Sequence, residues 1–181
     1  MINCAMNFGA VVGLYYIVKF CLFPLSMHST IAALLFLGMT IVVPLLVGLL
    51  TMRYRDLHCG GQIRFTQAFA FSALIMCFGA LLVAAVHYIY FAYIDNGAVV
   101  AAVAQSTEML QDIDIESVEG VGTDTITQYN QYIELMQQTM QQLQAMSPID
   151  ITMGMLSSNV SWSFIISLPI ALFTRHKTHQ P

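Results

Sequence analysis

Charge is what this sequence has least of. Only 9% of its 181 residues are Asp, Glu, Lys or Arg, against roughly a quarter in a soluble domain, and 57% are apolar, with a mean hydropathy of +0.71. So few charges cannot solvate the surface of a water-soluble globule of this size. Disorder is excluded with it, because disordered chains are poor in apolar residues. Six Lys and Arg form no basic stripe, so nucleic acid is not an expected partner. The four cysteines, Cys4, Cys21, Cys59 and Cys77, form no Cys-x-x-Cys pair, which argues against disulfide, zinc and redox roles. A serine nucleophile elbow, a phosphate-binding glycine loop, an H-E-x-x-H pattern and paired carboxylates within an apolar run are missing too. The expectation is a non-enzyme without a metal or other cofactor.

What is present is long apolar runs. A membrane helix needs about 20 mainly apolar residues to cross about 30 Å of hydrocarbon, and four windows qualify: Ala5 to Leu25, Thr30 to Met52, Phe65 to Ile94 and Ile151 to Phe173. Backbone polar groups in lipid must be paired within their own segment, so each window reads as a helix. Only Lys19 and His87 among titratable side chains of the Lys and His type fall inside them. Tyr88, Tyr90 and Tyr93 mark the interfacial exit of the third, and Pro44 and Pro169 are expected to bend the second and fourth. The first window lacks the basic leader and the cleavage pattern of a signal peptide, so it reads as a retained span.

The few charges are segregated. Arg53, Arg55 and Arg64 lie between spans two and three, and Arg175 and Lys177 follow span four. Nine of the ten acidic residues, and no basic one, lie between Asp95 and Asp150. Basic residues are retained in the cytoplasm, so the expected topology is N-in and C-in. Residues 1–94 then hold three spans with a short cytoplasmic loop 53–64, residues 95–150 form an acidic extracytoplasmic segment, and residues 151–181 supply span four and a basic tail.

Fifty-six residues without structure would be improbable inside a domain, and the external segment reads as two helices. Ala98 to Leu110 is rich in Ala and Val and reads as a continuation of span three. A break is expected at Glu119-Gly120-Val121-Gly122, and Asp124 or Thr125 is expected to cap a second helix that ends near Ser147-Pro148. In that helix Tyr129, Ile133, Met136, Met140 and Leu143 recur at steps of 4, 3, 4 and 3, an external apolar stripe opposite a face of glutamines. The favoured reading is an antiparallel hairpin in which the first helix covers the stripe; the alternative is that the second helix docks on another protein or lies on the membrane, the latter disfavoured by the lack of Lys and Arg. The methionines Met136, Met140, Met146, Met153 and Met155 read as packing rather than as a copper site, and Asp112, Asp114, Glu116 and Glu119 lack the residue order of a calcium loop.

Counting inward from the external ends of the four spans, Lys19, His87, Asn159 and Thr40 fall six, seven, eight and ten residues deep. At 1.5 Å per residue they share one layer, about 9 to 15 Å below the outer boundary. Polar groups at that depth usually face the bundle interior or a wet cavity. Two readings stand. In the commoner one Lys19 snorkels, His87 pairs with a backbone carbonyl, and Asn159, Ser158 and Ser161 join helices. In the sharper one the layer is a functional site in which Lys19 and His87 approach within a water-bridged distance. Gly9 with Gly13, and Ser157 with Ser161, have the small-x-x-x-small spacing that lets helix backbones approach. The sequon Asn159-Val160-Ser161 lies within a span and is discounted. Arg53, Arg55 and Arg64 beside Gly60-Gly61 are candidates for contact with a lipid phosphate or a partner.

Tyr54-Arg55-Asp56, then Gly60-Gly61, Ile63, Phe65, Ala68 and Phe69, followed by Tyr88-Ile89-Tyr90 and Tyr93-Ile94-Asp95, resemble the pattern of the bacterial membrane family catalogued as domain of unknown function 4199. The likeness covers nearly the whole chain and is most specific from Tyr54 to Asp95. Asn96 departs from it, standing where the family often has proline, which leaves helix continuity after span three as the expectation. The resemblance implies an inner-membrane protein of a Gram-negative bacterium and transfers no catalytic site. The fold class expected is all-α, a four-helix transmembrane bundle with an external helical hairpin between spans three and four. The leading functional expectation is a non-enzymatic accessory subunit holding another envelope protein. The alternative is a small transporter or permeation subunit, a homo-oligomer built around the polar layer. The lipid bilayer is the partner common to both.

Overall fold

A computed structural model describes residues 1–27, 29–111 and 122–175. Among the described residues there are six α-helices and no strand: α1 (Ile2–Ser26), α2 (Thr30–His58), α3 (Phe65–Tyr93), α4 (Ala98–Gln111), α5 (Thr123–Ala145) and α6 (Pro148–Thr174). They fall into two compact units, one of Met1–Tyr88 with Thr152–Pro181 and one of Ile89–Ile151. Helices α1, α2, α3 and α6 are each long and apolar enough to cross a membrane, and they follow the four windows read from the sequence. Lys177, Asp112, Asp114, Glu116, Glu119 and most of the break expected at 119–122 lie outside the described residues.

The first unit is organised around α3. Half of its most apolar stretch is buried, against 22% for α1 and α6 and 11% for α2. Its buried residues, Ala68, Phe71, Ser72, Ile75, Met76, Gly79, Ala80, Val83, Ala84 and His87 among them, recur at steps of three and four and so line one face of the helix. Ala5 and Val12 of α1, Val43, Val47 and Tyr54 of α2, and Ile170 and Ala171 of α6 complete one core with Phe71 and Ile75. The outward residues Ile31, Leu34, Leu45 and Leu49 of α2 are more than half exposed. An apolar surface of that extent is what hydrocarbon solvates and water does not.

The glycine pair of α1 has the role its spacing suggested. A Cβ added to Gly9 would lie 2.5 Å from Phe78 Cβ and 3.1 Å from the Ile75 carbonyl, and one added to Gly79 would lie 3.1 Å from the Gly13 nitrogen. Gly9, Gly13 and Gly79 thus let α1 and α3 touch backbone to backbone, the source of packing energy that lipid leaves available. The serine pair expected to do the same does not: Ser157 and Ser161 are exposed, and the Ser161 hydroxyl donates to its own helix at the Ser157 carbonyl, 2.9 Å away. The packed pair is Ser163 and Ser167, both fully buried, with Ser163 Oγ 3.4 Å from Cys77 Sγ of α3.

The expected loop 53–64 is shorter than read, because α2 continues through His58. Tyr54 stacks on Phe71 with ring centroids 3.7 Å apart, and that contact holds the extra turn and a half against α3. The helix ends where the Cys59 and Gly61 amides both donate to the Arg55 carbonyl, at 3.0 and 3.1 Å. Gly60 and Gly61 carry φ of +61° and +83°, the left-handed conformation that closes a helix at lowest cost with glycine.

In the second unit the expected continuity of span three into α4 is overturned. Asp95 opens a new helix: its carboxylate accepts hydrogen bonds from the Gly97 and Val99 amides, both at 3.1 Å, satisfying donors that the first turn of α4 leaves free. Asn96 takes φ of +45°, which asparagine tolerates better than most residues. Neither Asp124 nor Thr125 caps α5; Gly122 stands at that position without a side-chain cap, and Asp124 lies in the first turn. Helices α4 and α5 are in contact, with the Tyr129 hydroxyl donating to the Leu110 carbonyl. Between α5 and α6, the Ser147 amide donates to the Asp150 carboxylate at 3.2 Å and the Asp150 amide to Ser147 Oγ at 3.3 Å. This reciprocal capping, with Pro148 at the first helical position, starts α6.

Candidate functional site

One end of the four-helix unit, away from Arg55, contains a cavity of about 470 Å³. Each helix contributes residues at helical spacing. Tyr16, Lys19, Phe20 and Phe23 come from α1, and Phe36, Thr40 and Val43 from α2. Helix α3 adds Met76, Val83 and His87, and α6 adds Met155, Ser158, Asn159, Trp162 and Ile166. All four residues of the polar layer, Lys19, Thr40, His87 and Asn159, therefore stand on the wall of one cavity, His87 buried, Lys19 and Asn159 half-buried and Thr40 exposed.

Their immediate surroundings differ. Lys19 Nζ lies 4.8 Å from the centroid of the Phe36 ring, a cation–π contact whose strength rises as water is removed. His87 is 4% exposed and meets the edge of Phe20 at a centroid distance of 4.3 Å. Its Nδ1 is buried without a hydrogen-bond partner, so the carbonyl pairing expected of it is not made at that nitrogen. Thr40 spends its hydroxyl proton on the Phe36 carbonyl, 2.8 Å away, leaving oxygen lone pairs. Asn159 is half-buried beside Ser158. The cavity thus combines an apolar and aromatic wall with a few polar groups, the composition typical of small-molecule sites, and its volume falls in their usual range of about 300–1,000 Å³.

Sequence reasoning found the polar members and missed Tyr16 and Trp162. The signal was available: Tyr16, Lys19 and Phe23, and Met155, Asn159, Trp162 and Ile166, each recur at steps of three and four around the layer. In an all-apolar helix, however, many such stripes exist, and only packing selects one.

The other candidate groups are placed elsewhere. Arg55 donates from Nε to Asp56 Oδ1 at 2.8 Å and from a guanidinium NH to the Thr174 carbonyl at 3.1 Å. It thereby satisfies a free carbonyl at the end of α6 and ties α2 to it. Arg53 and Arg64 are exposed. On α5, Tyr129, Ile133, Met136, Met140 and Leu143 are all half-buried, while Gln128, Gln131, Gln137, Gln138, Gln141, Gln142 and Gln144 are exposed. The stripe is therefore the sheltered face of that helix.

No curated protein and no solved structure matches this chain significantly. A family model does, that of the protein of unknown function DUF4199, over residues 7–176 of 181. With nearly its entire length matched, and with four helices able to cross a membrane, the chain belongs to the DUF4199 family.

Proposed function

We propose that this protein is a non-enzymatic, small-molecule-binding subunit of the bacterial inner membrane, with both termini in the cytoplasm and the cavity in the outer half of the bilayer. The observation that carries the reading is the convergence of one polar residue from each of four apolar helices on a single cavity. A polar side chain at membrane depth is costly, and groups that only joined helices would pair with one another or with backbone, as Thr40 does with the Phe36 carbonyl. His87 Nδ1 instead has no hydrogen-bond partner. This favours the permeation or binding alternative over the purely scaffolding one. The orientation is supported by Arg53, Arg55, Arg64 and Arg175 near the ends opposite the cavity.

Native mass spectrometry of the protein released from a mild detergent tests the reading. A bound molecule of low mass is expected on the wild type and lost from Thr40→Trp, in which an indole enters the cavity. A bare polypeptide mass, or an adduct that Thr40→Trp leaves in place, overturns it.

One observation keeps the accessory reading as a second one. Tyr132 and Leu135 on α5 are 53% and 61% exposed, off the sheltered stripe. An envelope partner held there should be lost from pull-downs of a Tyr132→Ser, Leu135→Ser variant that still binds its small molecule; retention of the partner sinks this second reading.

A further inference from the structure

The cavity's chemistry names the class of molecule it takes, an inference that rests on the binding function proposed above. Its one formally charged side chain is a cation. Lys19 brings an ammonium with no acceptor role, while Tyr16, Thr40, His87, Ser158 and Asn159 bring groups that can donate or accept. No carboxylate lines it. The four-helix unit holds a single acidic residue, Asp56, and that carboxylate is ion-paired to Arg55, on the helix end away from the cavity. Lys19 is thus half-buried on the cavity wall against an aromatic ring, without an anionic side chain of its own unit to neutralise it. A charge so placed is stabilised only by an opposite charge or by retained water.

The remainder of the wall is apolar: Phe20, Val43, Met76, Val83, Trp162 and Ile166 among others. A small hydrated anion would gain nothing from these surfaces. A neutral lipid would leave Lys19 uncompensated. A molecule with one compact anionic head and an apolar chain matches both halves, its head on the Lys19 ammonium and the Asn159 amide and its chain against the apolar wall. We propose that the cavity binds a single-chain anionic amphiphile, with Lys19 as the residue that selects the negative head. The head chemistry, a carboxylate or a phosphate monoester on one acyl chain, is shared by free fatty acids and lysophosphatidate.

The test uses the full-length protein in a non-ionic maltoside detergent. Binding of palmitate, of palmitoyl lysophosphatidate and of the neutral monopalmitoylglycerol is measured by native mass spectrometry and by the rise in melting temperature each confers. At least one of the two anions should bind about tenfold or more tightly than the neutral lipid, the discrimination a charge-assisted contact supplies. Whichever anion leads identifies the source. Lys19→Met should erase the preference with the cavity still able to hold the neutral lipid, and Lys19→Arg should restore it. Equal binding of neutral and anionic lipids, or a preference that survives Lys19→Met, overturns the anionic class and leaves the binding cavity standing. Failure of all three lipids to bind a wild type that melts cooperatively overturns this proposal, and a bare mass in the co-purification experiment then removes the cavity reading as well. Should Lys19→Met fail to fold, the wild-type ranking of the three lipids and the Lys19→Arg variant still decide the matter.

Discussion

The two ends of the four-helix unit use the same kinds of helix to opposite effect. At the end carrying Arg55 the space between helices is filled: Tyr54 lies on Phe71, Phe8 meets Phe71 edge-on at 6.1 Å, and Arg55 ties α2 to the last carbonyls of α6. At the other end aromatic rings stand around a cavity of about 470 Å³, and the polar groups of the spans gather on its wall. The difference shows where a membrane bundle places its polar side chains. Where packing is tight, hydroxyls such as those of Thr51 and Thr174 are absorbed by the carbonyl one turn back, each at 2.8 Å. Where packing opens, groups too large or too charged for that device, Lys19, His87 and Asn159, line the opening.

Substitutions at the filled end should therefore cost far more than substitutions at the open one. The largest effect is expected for Phe71→Ala, which deletes a ring with no exposed surface that touches α1 and α2. A loss of about 3–5 kcal/mol should be visible as a large drop in thermal midpoint followed by circular dichroism in detergent. A drop no greater than that of a lipid-facing control such as Leu45→Ala would erase the distinction between the ends.

Gly9→Val comes next. The new side chain meets Phe78 Cβ and the Ile75 carbonyl, atoms that cannot swing aside, and overpacking of this kind costs about 1–3 kcal/mol. The same change at Gly38, where an added Cβ meets nothing within 4 Å, should leave the melting curve nearly unmoved. Equal effects at the two glycines would mean that α1 and α3 do not touch as described.

The smallest effect belongs to the open end. His87→Leu removes a buried Nδ1 that has no hydrogen-bond partner, and exchanging an unsatisfied polar group for an apolar one of similar size is nearly neutral or mildly stabilising, within about 1 kcal/mol. A severe loss of stability would show that His87 is held by the bundle as a structural element rather than presented to the cavity.

Much of this arrangement was legible in the residues. The spans were, because twenty apolar positions without charge have few alternatives in either water or lipid, and counting picked out Lys19, Thr40, His87 and Asn159, which line one cavity. The glycine pair Gly9 and Gly13 was legible for the same reason that Ser157 and Ser161 misled: spacing identifies a small-residue face without saying whether it turns inward. Ser163 and Ser167 share that spacing six positions further along α6, and only the register of packing separates them. Core and lipid-facing leucines look alike in sequence when the solvent is itself apolar. The end of α2 was misplaced because arginines read as loop residues, although Tyr54, between two of them, had a stacking partner on α3. The restart at Asp95 was missed because its capping role depends on the positive φ of Asn96 and Gly97, a conformation asparagine permits without announcing.

The account depends most on the claim that the bundle is bathed in hydrocarbon outside and lined with polar groups within, at one depth. Thr40 and Ile41 are neighbours on α2; Thr40, itself exposed, lines the cavity, and Ile41 is 62% exposed on an apolar face. Spin labels attached through Thr40→Cys and Ile41→Cys, in a chain with Cys4, Cys21, Cys59 and Cys77 replaced by serine and reconstituted in bilayers, report the solvent at each site directly. The label at 41 should be relaxed by dissolved oxygen and shielded from a water-soluble nickel chelate, while the label at 40 should show a more polar spectrum and less oxygen contact. Indistinguishable spectra and collision profiles at the two positions would contradict the account.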